Sequence, residues 1–127
     1  MASREIRSSK APAPGGAYSQ ALRVGDFVFV SGSGPFDPLS GEVVGHSIAE
    51  QTEQTLKNIG AILEAAGSRM AYVVKATVHL SDLDLFPEFN RVYAQAFPDP
   101  KPTRTTVGSQ LLGILVEIDV IAYTGSE

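Results

Sequence analysis

Two charged residues stand where a strand would make them conspicuous. Arg104 lies in Pro102-Thr103-Arg104-Thr105-Thr106, at the opening of a short β-prone run. Its guanidinium is a planar fork that can grip a carboxylate with two parallel hydrogen bonds. The plainer reading is a surface arginine beside a turn. Glu117 lies in Val116-Glu117-Ile118-Asp119, mid-strand among apolar neighbours. A carboxylate there is costly unless it is used or paired. Asp119, two strand residues on, shares its face. Paired carboxylates also admit glycoside hydrolysis, but the chain has no tryptophan to stack on a sugar. For Glu117 the structural alternative is an inter-subunit salt bridge.

Tyr18 stands in the loop Gly16-Ala17-Tyr18-Ser19-Gln20, either over a ligand or simply exposed. Ser31 precedes Gly32 at a strand end, where its hydroxyl or backbone can face a pocket. Asn90 falls on the polar flank of a helix, and a surface asparagine is its plain reading. Neither histidine has a metal-ligand partner at helical or strand spacing. His46 reads as a loop residue, His79 as strand-face packing or an interface. There is no cysteine, so neither a disulfide framework nor a thiolate zinc site is possible. Gly32-Ser33-Gly34 runs into Pro35, not into a helix, so a nucleotide-binding reading fails. The net charge of −4 argues against a nucleic-acid partner. No apolar run approaches the roughly 18 residues of a membrane span, and Met1 to Lys10 contains no apolar signal core. With 43% hydrophobic and 19% charged residues, one globular cytoplasmic domain over 1–127 is expected.

The elements that must position these residues follow from periodicity. Residues 19–33 read as a hairpin turning at Gly25-Asp26, with Val28 and Val30 alternating against Phe27 and Phe29. Residues 35–41 are turn-rich loop. Ser47-Ile48-Ala49-Glu50 fits a capping box, and Ile48, Thr52, Leu56, Ile59, Leu63 and Ala66 recur at helical spacing, which predicts a helix over 47–66 ended by Gly67. A half-buried strand covers 74–80. A second helix runs from about 84 to 97, with Pro87 in its first turn and Phe86, Phe89, Tyr93 and Phe97 as its apolar stripe. Two strands follow, about 103–109 and 114–123. The order is β-β-α-β-α-β-β. Two helices cover one sheet face, and the other is too apolar for plain solvent surface, so subunit association is expected over it.

Taken in order, Gly16-Ala17-Tyr18-Ser19-Gln20, Val30-Ser31-Gly32, Pro102 to Thr106 and Val116 to Asp119 resemble the Rid (YjgF-like) family of enamine/imine deaminases. The Asp-Pro-x-x-Gly-Glu-Val loop (37–43), Ala-Ala-Gly (65–67) and Phe-x-x-x-Asn-x-x-Tyr (86–93) extend the resemblance over about residues 12–123. It implies an α+β, chorismate-mutase-like fold assembled as a homotrimer, helices outside and pockets between subunits. It implies hydrolysis of 2-imino acids, tautomers of enamines such as 2-aminoacrylate, to 2-keto acids and ammonia, without metal or organic cofactor. Removing such reactive intermediates would be its use. Carried over by position, Arg104 holds the substrate carboxylate and Glu117 the attacking water. Tyr18 lies over the substrate, Asn90 matches a family asparagine, and backbone near Ser31 and Thr106 contacts the imine nitrogen. Two departures bear on substrate range. Thr106 stands where many members have cysteine, and Lys101, in the short loop 98–101, stands where a bulky apolar residue is common. Both lie beside the expected pocket, so small or polar imino acids are expected over large aromatic ones. An endoribonuclease, a non-catalytic metabolite sensor or chaperone-like trimer, and a deaminase specific to one pathway remain as alternatives.

Overall fold

Alternation of apolar and polar side chains lays out a six-stranded mixed sheet in the computed structural model, which describes residues 2–125. Met1, Ser126 and Glu127, the ends of the expected domain, lie outside the described residues. In chain order the strands are β1 (Arg4–Ile6), β2 (Ala21–Val24), β3 (Phe27–Ser33), β4 (Val73–Leu80), β5 (Thr103–Gly108) and β6 (Val116–Tyr123). Two helices, α1 (Ile48–Ala65) and α2 (Phe86–Ala96), flank β4, and short 3-10 turns precede β4 and α2. Across the sheet the order is β1-β2-β3-β6-β4-β5, with β4 and β5 parallel and every other pair antiparallel.

The expected order needs one addition. Arg4-Glu5-Ile6 pairs with β2 and buries only Ile6, and three residues carry no readable period. The hairpin turns at Gly25, whose φ of 60° suits glycine. Ser47 caps α1 rather than opening it. Its hydroxyl accepts from the Glu50 amide while the Glu50 carboxylate accepts from the Ser47 amide, completing the capping box. The second helix is shorter than expected, because Leu83–Leu85 winds as a 3-10 turn ahead of it.

Register decides which side chains share a face. Val28, Val30, Ala76, Val78, Leu80, Val116, Ile118, Val120 and Ala122 are all buried on one side, beneath both helices. Burying a side chain of valine or leucine size contributes about 1.5–3 kcal/mol, so this layer dominates the stability. On the opposite side Leu22, Phe27, Phe29, Val107 and Tyr123 each remain more than a third exposed. Among the described residues no helix covers that face. Among the described residues, no helix is long and apolar enough to cross a membrane.

Candidate functional site

The predicted site residues fall into two groups. Tyr18, Ser31 and Glu117 line one cleft of about 420 Å³. Arg104, Asn90 and Thr106 lie elsewhere, between β5 and α2.

The cleft opens where β3 bends away from β6. Their register shifts between Val30 and Ser33, and Gly32 sits in the shift. Glu117 projects from β6 across that glycine. A Cβ built on Gly32 would lie 2.6 Å from Glu117 Oε2 and 3.0 Å from its Cδ. The carboxylate therefore rests directly on bare backbone. It has no hydrogen-bond or ion-pair partner among the described residues. Directly opposite it on β4 stands His79, whose Nδ1 lies 2.6 Å from Ser109 Oγ. Asp119 shares this face, as its spacing predicts. Partial burial raises its carboxyl above the usual value, and the nearby charges of His79 and Lys75 oppose the shift.

Tyr18 stands at the cleft mouth, half exposed, and its hydroxyl accepts from the Gly15 amide at 3.0 Å. Ser31 lines the cleft and carries one hydroxyl. That group donates to Ser19 O at 2.7 Å and ties the Tyr18 loop to β3. Two lining residues escaped sequence reasoning. Gln20 is buried and bonds in both directions to the loop carrying Pro12: its amide donates to Ser8 O and Pro12 O, and its carbonyl accepts from Ser8 N. Asn58 is buried in α1 and donates to Gly34 O and Phe36 O. An amide interrupting the apolar stripe of α1 was the available signal for Asn58.

Arg104 occupies the other group. In parallel register it pairs with Ala76, and Thr106 with Val78, so both project to the helix side of the sheet. Arg104 Nη1 donates to Asn90 Oδ1 at 2.8 Å, which gives Asn90 a role that a surface position would not. The guanidinium lies over the aromatic stripe of α2, 4.8 Å from the Tyr93 ring centre and 5.4 Å from that of Phe86. This cradle fixes the fork and leaves most of its five donors unspent. The hydroxyls of Tyr93 and Thr106 are buried without a hydrogen-bond partner among the described residues. Burial raises the Tyr93 phenol, and the positive charge of Arg104 partly offsets this.

Lys101, expected beside a pocket between subunits, sits at the end of α2. Its ammonium donates to Ala94 O at 2.8 Å and to Phe97 O, capping the end of α2. It is not among the residues lining the cleft. Among the described residues no three His, Asp or Glu side chains gather to hold a metal ion.

Arg104 and Glu117 thus lie on opposite faces of one sheet. Glu117 shares its face with His79, whereas Arg104 shares its face with Ala76. A small ligand cannot touch both side chains of one chain through that sheet.

These features define a small α+β domain with a carboxylate-lined cleft and a separate, caged arginine. The family described as Endoribonuclease L-PSP matches residues 8–124. A RutC family protein of Pyrococcus abyssi is 47% identical over 97% of this chain and 98% of its own length. The chloroplastic Reactive Intermediate Deaminase A of Arabidopsis thaliana is 44% identical over 92% of this chain and 64% of its own. The crystal structure of RidA from an Antarctic Psychrobacter superposes with a TM-score of 0.90 at 41% identity, over 94% of this chain and 98% of that one. The chain belongs to the Rid (YjgF-like) family and has its α+β fold.

Proposed function

We propose that this protein hydrolyses 2-imino acids to 2-keto acids and ammonia, at sites where Arg104 of one copy meets Glu117 of another. The observation carrying this reading is the pair itself. A caged guanidinium with unspent donors and an unpartnered carboxylate are held on opposite sheet faces. Only a second copy brings two such groups onto one small substrate. The uncovered apolar face around Phe27, Phe29 and Tyr123 offers the surface for association, and a homotrimer is the assembly proposed. The relative named a reactive intermediate deaminase supports the chemistry.

In this mechanism the Arg104 fork holds the substrate carboxylate and orients C2, with Asn90 fixing the fork. Glu117 accepts a hydrogen bond from a water and directs its oxygen at C2. Water adds to the C=N bond, and its proton passes to nitrogen. The resulting carbinolamine expels ammonia and leaves the keto acid. Imines hydrolyse spontaneously, so positioning supplies much of the acceleration. Tyr18 closes the mouth over the substrate. The alternative of RNA cleavage lacks support in the cleft, where among the described residues Glu117 and Tyr18 are the ionisable ones and neither a histidine nor a lysine lines it. Among the described residues no helix is long and apolar enough to cross a membrane, the chain has no cysteine, and the cytoplasm is the compartment proposed.

Mixing two inactive variants tests the reading. Arg104→Ala alone loses on the order of 10²–10³-fold in kcat/KM, and Glu117→Gln about 10²-fold with keto-acid binding retained. Each purified variant should sediment at three times the 13.5 kDa chain mass. Dissociated and reassociated at equal amounts, they should recover about a quarter of wild-type activity, since that fraction of shared sites receives both intact residues. No recovery from trimers shown to have mixed would place the site within one chain and sink the proposal.

A further inference from the structure

We infer that His79 is a positioning residue for Glu117: Ser109 holds its imidazole in the tautomer that carries the proton on Nε2, and Nε2 donates to the Glu117 carboxylate. The inference rests on the proposed deaminase reading and deepens it by naming what aims the carboxylate that directs the water. The placement comes from the sheet. His79 on β4 and Glu117 on β6 are direct partners in antiparallel register, so both side chains stand on the face away from the helices. Cβ atoms of such a pair lie about 4.5–5.5 Å apart, within reach of two long side chains. In the sheet β4 lies between β6 and β5. Ser109 follows β5, its amide donates to Leu80 O at 2.8 Å, and its Oγ lies 2.6 Å from His79 Nδ1. The Nδ1 edge of the ring is thereby turned toward β5. That leaves the other edge, which carries Nε2, turned toward β6 and Glu117.

Counting protons fixes the tautomer. The Ser109 hydroxyl makes no other hydrogen bond among the described residues. With the proton on Nδ1, the hydroxyl hydrogen would have no acceptor, and Nε2 would turn a lone pair on a carboxylate. Donation from Ser109 to Nδ1 satisfies both groups and leaves the proton on Nε2, on the side of the anions. Among the described residues the charged or titratable groups of this face on the two strands are Lys75 and His79 on β4 and Glu117, Asp119 and Tyr123 on β6; the flanking strands β3 and β5 add none. Asp119 stands opposite Thr77, diagonal to His79, so Glu117 is the nearer acceptor. In the free protein no hydrogen bond or ion pair yet joins His79 to Glu117. Contacts of this kind tighten when substrate fills a site. Held at one oxygen by His79, the carboxylate keeps the other for the water.

Replacing the side chain separates a donor from a packing role. Glutamine brings an amide donor close to the place of Nε2, asparagine mimics only Nδ1, and phenylalanine keeps bulk without a donor. An amino acid oxidase generates the alanine imine, with semicarbazide competing for it. His79→Gln should keep kcat within about threefold of wild type, while His79→Asn and His79→Phe each lose about tenfold, the worth of one hydrogen bond to a charged group. Pyruvate affinity should hold in all three, because Arg104 is untouched. In a Glu117→Gln background, His79→Phe should cost nothing further. Nitrogen-15 NMR reads the ring without turnover, in the free protein and with pyruvate added. The chain has two histidines, so the spectrum of His79→Gln assigns the signals. A protonated Nε2 and a bare Nδ1 are expected for neutral His79, with the Nε2 signal moved by Glu117→Gln and not by Asp119→Asn. The opposite tautomer, better rescue by phenylalanine than by glutamine, or an Nε2 signal that follows Asp119 instead of Glu117 overturns the assignment. If wild type accelerates no imine hydrolysis while Nε2 is protonated and follows Glu117, the deaminase reading falls and the His79 to Glu117 contact stands.

Discussion

Gly32→Ala isolates the placement of Glu117 from everything else in the protein. Gly32 is not in the left-handed region, so alanine brings no backbone strain. The whole effect comes from one methyl group. Its carbon would lie 2.6 Å from Glu117 Oε2, where ordinary contact begins at 3.4 Å, so the carboxylate must retreat by about 0.8 Å. Glu117 ends a flexible side chain with no partner to break among the described residues, so the retreat is cheap. Unfolding free energy should stay within about 0.5 kcal/mol of wild type, the usual range for a surface change. Catalysis is less forgiving, because a misplacement near 1 Å costs up to about 10²-fold. A drop of about 10- to 100-fold in kcat/KM is expected, equal to roughly 1.4–2.7 kcal/mol of transition-state stabilisation. Keto-acid affinity should hold, since the Arg104 cradle is untouched. The assay is imine hydrolysis against semicarbazide trapping, with a denaturant titration for stability. Placed in a Glu117→Ala background, Gly32→Ala should have no further effect on rate. Wild-type turnover in the single variant, or an equal loss in both backgrounds, would refute the argument that Gly32 seats the carboxylate proposed to act in catalysis.

Thr106→Val keeps the shape of a side chain whose hydroxyl is buried without a partner among the described residues, and should stabilise the fold by about 1 kcal/mol, a rise of about 3–5 °C in Tm by calorimetry. A fall in Tm would mean that the hydroxyl has a partner, such as a bound water. Asp119, raised by burial, is ionised in both states above its folded pKa and protonated in both below its unfolded one. Its burial therefore costs stability increasingly as pH rises from the ordinary carboxylate range through the raised value. Asp119→Asn should remove that component of the pH dependence in denaturant titrations, and an unaltered slope would contradict the assignment.

Local chemistry made much of this protein legible from its sequence. The capping box at Ser47 and Glu50 uses groups three residues apart, so it is written in the chain. Period-two alternation in β6 put Val116 and Ile118 on one face and Glu117 and Asp119 on the other, as found. The motifs around Tyr18, Arg104 and Glu117 pointed to the family. Sequence could not divide those residues between two faces, because the face of Arg104 depends on its register with Ala76, a partner 28 positions away. Nor could it tell which polar groups were free. Gln20, Ser31 and Asn58 look available in sequence, and only the folded loops show their donors spent on distant carbonyls. The partners of Lys101 were hidden for the same reason: a long side chain is satisfied by whatever lies within reach, and here that is the open end of α2. Periodicity is a property of neighbours in the chain, whereas satisfaction and facing are properties of neighbours in space.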